Sequence, residues 1–150
     1  MDLVAHFRGA RTLVSVQSGL PLFNEGESGK NMYVLIEGTV AICIGGKVVE
    51  VAEPGSLIGE MALIDSSVRS ATAITRSVCR MISINSSQFD LLVRESPEFA
   101  RHVMEVMADR LRRMNEMFKS ATLSDRPLHD WVSGPSPRPA PPKGNMIVPV

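Results

Sequence analysis

A chain of 150 residues is long enough for one domain with a buried core. Its make-up of 44% hydrophobic and 21% charged residues is that of a globular protein, and Lys plus Arg equals Asp plus Glu at 16 each, so there is no basic excess to attract nucleic acid. No uninterrupted apolar run approaches the ~20 residues that span a bilayer, and the start, "MDLVAHFRGARTLV", lacks the charged and then apolar layout of a signal peptide, so a cytoplasmic protein is expected.

In chain order, a short amphipathic turn is predicted over residues 2–8. From residue 12 onward, glycines punctuate short runs rich in β-branched and other apolar residues, such as "MYVLIE", "VAICI" and "KVVEVA". Short strands with regular turn signals predict an antiparallel sandwich or barrel rather than a parallel sheet. In "VAICIGGKVVEV" the pair Gly45-Gly46 can supply the positive φ of a tight hairpin. "AEPGS" is a further turn, with Pro54 setting φ, and "RSATAIT" and "CRMISI" read as two more strands.

The period then changes. Ser87, three residues before Asp90, is read as opening a helix "QFDLLVRE" in capping-box fashion. Ser96-Pro97 opens the next, with a hydroxyl at the N-cap and proline at the first helical position. That helix is expected to reach about residue 119, because Phe99, Val103, Met107, Leu111, Met114 and Phe118 recur at spacings of three and four. Beyond it, seven of the ten prolines lie at or after Pro127. The domain is therefore placed at 1–119 and a proline-rich, extended or partly disordered tail at 120–150.

Cys43 and Cys79 lie in apolar runs without a CxxC partner; they read as two buried thiols, with a disulfide between neighbouring strands left as the alternative. The histidines, His6, His102 and His129, fall near helices or the tail rather than clustering on strands, so no metal site is expected, and no Ser/His/Asp arrangement is readable. An enzyme is not expected.

The informative stretch is "GSLIGEMALIDSSVRSATA", residues 55–73. Gly59 permits a sharp turn, "EMALI" is long enough for one helical turn, and the N–H groups at its start suit an anion. Arg69 returns toward them with a fork able to donate two parallel bonds to phosphate, and Ser70 adds a hydroxyl. Ala62 and Ala71 leave room for close approach. Glu60, which would repel a phosphate, suits hydroxyl donors such as a ribose 2′-OH. Sugar beside phosphate is what a cyclic nucleotide presents. The competing reading is that Glu60 and Arg69 simply pair with each other at the surface.

This stretch resembles the phosphate-binding cassette of the cyclic nucleotide-binding domain family, found in bacterial cAMP receptor proteins, cyclic-nucleotide-gated channels and kinase regulatory subunits. "GEMALI", "DSSV" and "RSAT" match the family's Gly-Glu-x-Ala-Leu, spacer and Arg-(Ser/Thr/Ala)-Ala-Thr. The similarity runs over roughly residues 12–119 and includes "NEGESGKNMYVLIEGTV". Val68 replaces a frequent proline, and Leu57 stands where an aromatic is common; neither removes a hydrogen-bonding group.

The resemblance implies an α+β fold, an antiparallel jelly-roll-like β-roll with a short cassette helix and C-terminal helices. It also implies a ligand set: Glu60 on the ribose, Arg69 with the Met61 and Ala62 N–H groups and the Ser70 hydroxyl on the phosphate, and Gly59 close to the sugar. It places Arg110 and Asn115 as candidate base-lid residues, against the reading of both as solvated helix-face residues. Ser70, where threonine is associated with guanine preference in some relatives, favours cAMP over cGMP. The implied function is a sensor whose ligand shifts the C-terminal helices to signal to a protein effector. The alternatives are a regulatory domain of a larger channel or kinase assembly, or a ligand-independent scaffold. The proline-rich end cannot form a helix-turn-helix, so no sequence-specific DNA binding is expected. Methionines 104, 107, 114 and 117 with Phe118 wrap the last helix, which leaves monomer and helix-mediated homodimer both open. Trp131 is assigned no more than an anchoring role for the tail.

Overall fold

The structure, a computed structural model, describes residues 1–7, 13–65 and 67–120. The readings of the proline-rich tail, of Trp131 and of His129 lie outside the described residues. The chain divides into two units, Met1–Val103 and Met104–Val150, so the boundary falls within the last helix.

The first unit begins with α1 (Leu3–Phe7), which lies within the predicted turn and buries Leu3. Among the described residues eight strands follow: β1 (Leu13–Val16), β2 (Pro21–Phe23), β3 (Asn31–Glu37), β4 (Val40–Ile44), β5 (Lys47–Ala52), β6 (Leu57–Ile58), β7 (Thr72–Thr75) and β8 (Cys79–Asn85). Between β6 and β7 lies the short helix α2 (Glu60–Asp65), and after β8 come α3 (Ser86–Glu95) and α4 (Pro97–Ser120). The strands form two antiparallel four-stranded sheets, in the orders β1-β8-β3-β6 and β2-β7-β4-β5. This is the α+β β-roll expected from the sequence.

The core lies between the sheets because both contribute to one cluster. Leu35, Ile58, Cys79 and Met81 come from one sheet, and Phe23, Val40, Ala52 and Ala73 from the other. Strand β7 shows the cause in miniature: Ala73 and Thr75 are buried while Thr72 and Ile74 are only half-buried, the period-two alternation of a strand with one face inward. Thr75 can be buried because its hydroxyl donates to the Gln17 carbonyl at 2.6 Å and accepts from Leu20 N–H at 3.0 Å.

The Gly45-Gly46 hairpin is present, with φ of 57° and 79°, and joins β4 to β5 through a register shift at Ile42/Cys43. Cys43 and Cys79 are both free; Cys79 is buried as expected, but Cys43 is only half-buried, because exposure rises along β4 toward its hairpin. The start of α3 also differs from expectation. Its N-cap is Asn85 rather than Ser87: the Asn85 side chain accepts from Gln88 N–H, and the Gln88 side chain accepts from Asn85 N–H. Gln88 reaches back three residues and completes a reciprocal box that Asp90 cannot offer to Ser87. Helix α4 starts as predicted, with Ser96 Oγ accepting from Phe99 N–H at 3.2 Å. Phe99 is fully buried, edge-on to Phe89, which anchors the start of α4 in the first unit and contributes about 1.5–3 kcal/mol.

Candidate functional site

The segment from β6 to β7 folds as its residue types dictate. Gly59 has φ of 79°, in the left-handed region, and turns the chain out of β6 straight into α2. Asp65 ends that helix, its carboxylate accepting from Ser67 N–H at 3.0 Å; the Ser67 hydroxyl first, and this N–H second, hold the Asp65 carboxyl below its usual range. The chain then runs back beside residues 26–28. Arg69 N–H donates to the Glu27 carbonyl at 2.8 Å, Gly26 N–H donates to the Arg69 carbonyl at 2.9 Å, and Ser28 pairs with Val68. Arg69 is thereby fixed by its backbone before its side chain makes any contact.

That side chain is the centre of the site. Arg69 is 5% exposed, and its guanidinium lies over the Phe23 ring at 4.1 Å. Nη1 donates to the Gly59 carbonyl at 3.0 Å and Nη2 to the Asn31 carbonyl at 2.5 Å. Nε is buried without a hydrogen-bond partner among the described residues. Burial lowers the Arg69 pKa, opposed by Tyr33 and Glu27, but an arginine stays protonated through such shifts. The Glu27 carboxyl, held low chiefly by the Asn24 amide at 2.7 Å and less by Arg69, is spent on Asn24. The hydrogen-bond acceptors that hold the buried cation, among the described residues, are therefore two neutral carbonyls.

Two glycines make this packing feasible. A Cβ on Gly59 would fall on Arg69 Nη1 and crowd Phe23, and one on Gly29 would fall on Arg69 Nε and the guanidinium carbon and press on Ala62. Glu60, first residue of α2, is fully buried, and Ala62 is buried. The surface-pair reading of Glu60 and Arg69 therefore fails on location, since neither is at the surface. Ser70 is exposed, and its hydroxyl donates to Met61 Sδ at 3.9 Å.

Gly59 thus touches Arg69 and Met61 touches Ser70, with Glu60 and Ala62 in the same short helix as Met61. Arg110 and Asn115 lie in the second unit, both half-buried on α4. Sequence reasoning missed Phe23, Asn31 and Gly29. Only Gly29 left a signal, as a glycine inside "GESGKN" read solely as turn punctuation; a carbonyl acceptor leaves none, because every residue has one. Among the described residues no helix is long and apolar enough to cross a membrane.

A family model described as the cyclic nucleotide-binding domain matches residues 13–96. The potassium/sodium hyperpolarization-activated cyclic nucleotide-gated channel 4 of Oryctolagus cuniculus is 31% identical over 120 residues, which are 80% of this chain and 10% of the channel. A CRP-like cAMP-activated global transcriptional regulator of Mycobacterium tuberculosis is 28% identical over 119 residues, 76% of this chain and 53% of the regulator. The chain thus spans about half or less of the length of these curated relatives. The crystal structure of the Thermus thermophilus catabolite activator protein matches with a TM-score of 0.68 at 24% identity, covering 77% of this chain and 62% of that one, a likeness of fold.

Proposed function

The chain belongs to the cyclic nucleotide-binding domain family, and on that premise we propose that it senses a cyclic nucleotide, cAMP in preference to cGMP, through Gly59, Glu60, Met61, Ala62, Arg69 and Ser70. The observation that carries this reading is the buried Arg69 guanidinium bonded to two neutral carbonyls. A buried charge costs several kcal/mol unless an opposite charge meets it. A guanidinium has five N–H donors, and the two carbonyls occupy two of them, so a phosphate can be met by those that remain.

In this reading Arg69, the Met61 and Ala62 N–H groups and the Ser70 hydroxyl hold the cyclic phosphate, and the Glu60 carboxylate accepts from the ribose 2′-hydroxyl. Gly59 has no side chain to keep the sugar away. Each charge-assisted bond contributes about 1.5–3 kcal/mol, and a micromolar ligand needs roughly 8 kcal/mol. Two or three such bonds with base stacking reach that figure. Arg110 or Asn115 closes over the base, and the ligand acts by favouring one arrangement of α3 and α4 over another. The role is binding rather than catalysis, in the cytoplasm, with an unidentified protein effector as the receiver of the signal.

Calorimetry on the intact chain tests this: micromolar or tighter binding of cAMP, with cGMP weaker, is expected, and absence of heat with both nucleotides would refute the reading. The exposed positions Met104, Met114, Met117 and Phe118 favour a helix-mediated homodimer over a monomer. Residues 104, 107, 111, 114 and 118 alternate spacings of three and four, the seam of a helix pair. Sedimentation velocity showing monomer at every concentration would remove that part.

A further inference from the structure

The side chain of Met61 has no place in the binding scheme above, which uses only its N–H. It is nevertheless 42% exposed, on the first turn of α2, and its sulfur accepts the hydroxyl of Ser70 at 3.9 Å. That is the hydrogen bond made by the Ser70 hydroxyl among the described residues. A thioether is a weak acceptor, so it gives the hydroxyl up to a phosphate oxygen at little cost.

We infer that Met61 is an oxidative modification site, where conversion to the sulfoxide by a peroxide weakens nucleotide binding by capturing the Ser70 hydroxyl. The inference rests on the phosphate role proposed for Ser70. In the step itself a sulfur lone pair attacks one peroxide oxygen and the O–O bond breaks as the S–O bond forms. Hydrogen peroxide leaves as water, sulfur losing two electrons and the peroxide gaining them. The sulfoxide oxygen is a strong acceptor where the sulfur was a weak one. It holds the Ser70 hydroxyl and sets a partial negative charge beside the position assigned to the phosphate.

Exposure makes the sulfur reachable and makes the lesion repairable by methionine sulfoxide reductases, one for each sulfoxide epimer. Met104, Met114 and Met117 are more exposed and will oxidise too, so the test must separate Met61 from them. The intact protein, Met61→Leu and Ser70→Ala are each titrated with cAMP before and after hydrogen peroxide, with peptide mass spectrometry to follow each methionine. Treated wild type is expected to lose about five- to tenfold in affinity, the worth of about one hydrogen bond, and to regain it with the reductases. Met61→Leu and Ser70→Ala, whatever their starting affinities, are expected to change less than about twofold on treatment, the first lacking the sulfur and the second the hydroxyl.

Full conversion of Met61 with unchanged affinity overturns the inference. So does an equal loss in Met61→Leu, or a Met61 left unoxidised while Met104 is converted. Untreated wild type that binds neither cAMP nor cGMP refutes the parent reading instead, and the inference falls with it.

Discussion

Glu60 and Arg69, within residues 59–72, and the distal part of α4 both carry charge, but under opposite conditions. In the first, Glu60 has no exposed surface and Arg69 only 5%. In the second, the Arg112–Asp109 pair has side chains 77% and 69% exposed, and Lys119–Glu116 has 73% on both. Water already solvates the distal charges, so their pairing contributes about 0–1 kcal/mol and asks for no functional explanation. A buried guanidinium resting on carbonyls is different, because a purely structural role would be filled at lower cost by an apolar side chain. The place where charge is expensive is the place to look for a ligand.

The largest effect is expected of Arg69→Ala. The variant is expected to lose at least about 100-fold in cAMP affinity by calorimetry, equivalent to roughly 3 kcal/mol, since the phosphate is left without its counter-charge. Arg69→Lys is expected to recover little: a single ammonium cannot bridge the Gly59 and Asn31 carbonyls and still present a flat fork to an anion. Unchanged affinity in Arg69→Ala would reduce the buried charge to a structural curiosity.

A smaller effect is expected from the backbone that makes room for the cation. Gly59 and Gly46 both have φ of 79°, but a Cβ on Gly46 would meet nothing within 4 Å, whereas one on Gly59 would meet Arg69 and Phe23. Alanine at either position bears the left-handed penalty of about 1–2 kcal/mol. Only Gly59→Ala must also displace the guanidinium, so it alone should lose nucleotide affinity, by about tenfold, or roughly 1.4 kcal/mol. Denaturant melts give the shared cost, and calorimetry gives the difference. Equal affinities in the two variants would show that Arg69 has no need of its present position.

These two glycines also show how far the sequence was legible. Gly45-Gly46 could be read as a hairpin because its flanking strands are adjacent in the chain, and 59–70 as a binding segment because its charges and small residues are contiguous. The rest of the site depends on distance in the chain. Phe23, Gly29 and Asn31 reach Arg69 only because the two sheets close over one core, and both acceptors of its side chain among the described residues are main-chain carbonyls, which no residue type announces. The misplaced start of α3 has a local cause: in Asn85-Ser86-Ser87-Gln88 three successive residues can cap, and the choice fell to the one whose partner three positions on could reach back.

The smallest expected effect belongs to the distal helix, and its smallness is the point. Asp109→Asn removes the charge from an (i, i+3) pair with Arg112 at 3.3 Å while keeping size and polarity. Because both partners stand in solvent, unfolding free energy should change by less than about 0.5 kcal/mol. At about 0.1 M salt, where the screening length is near 10 Å, even that difference should shrink further as salt is added. Nucleotide affinity should not move. A loss above about 1 kcal/mol, persisting in high salt, would mean that charge on α4 holds structure as firmly as charge in residues 59–72. Burial would then no longer separate the charges that bind from those that merely keep a helix in water.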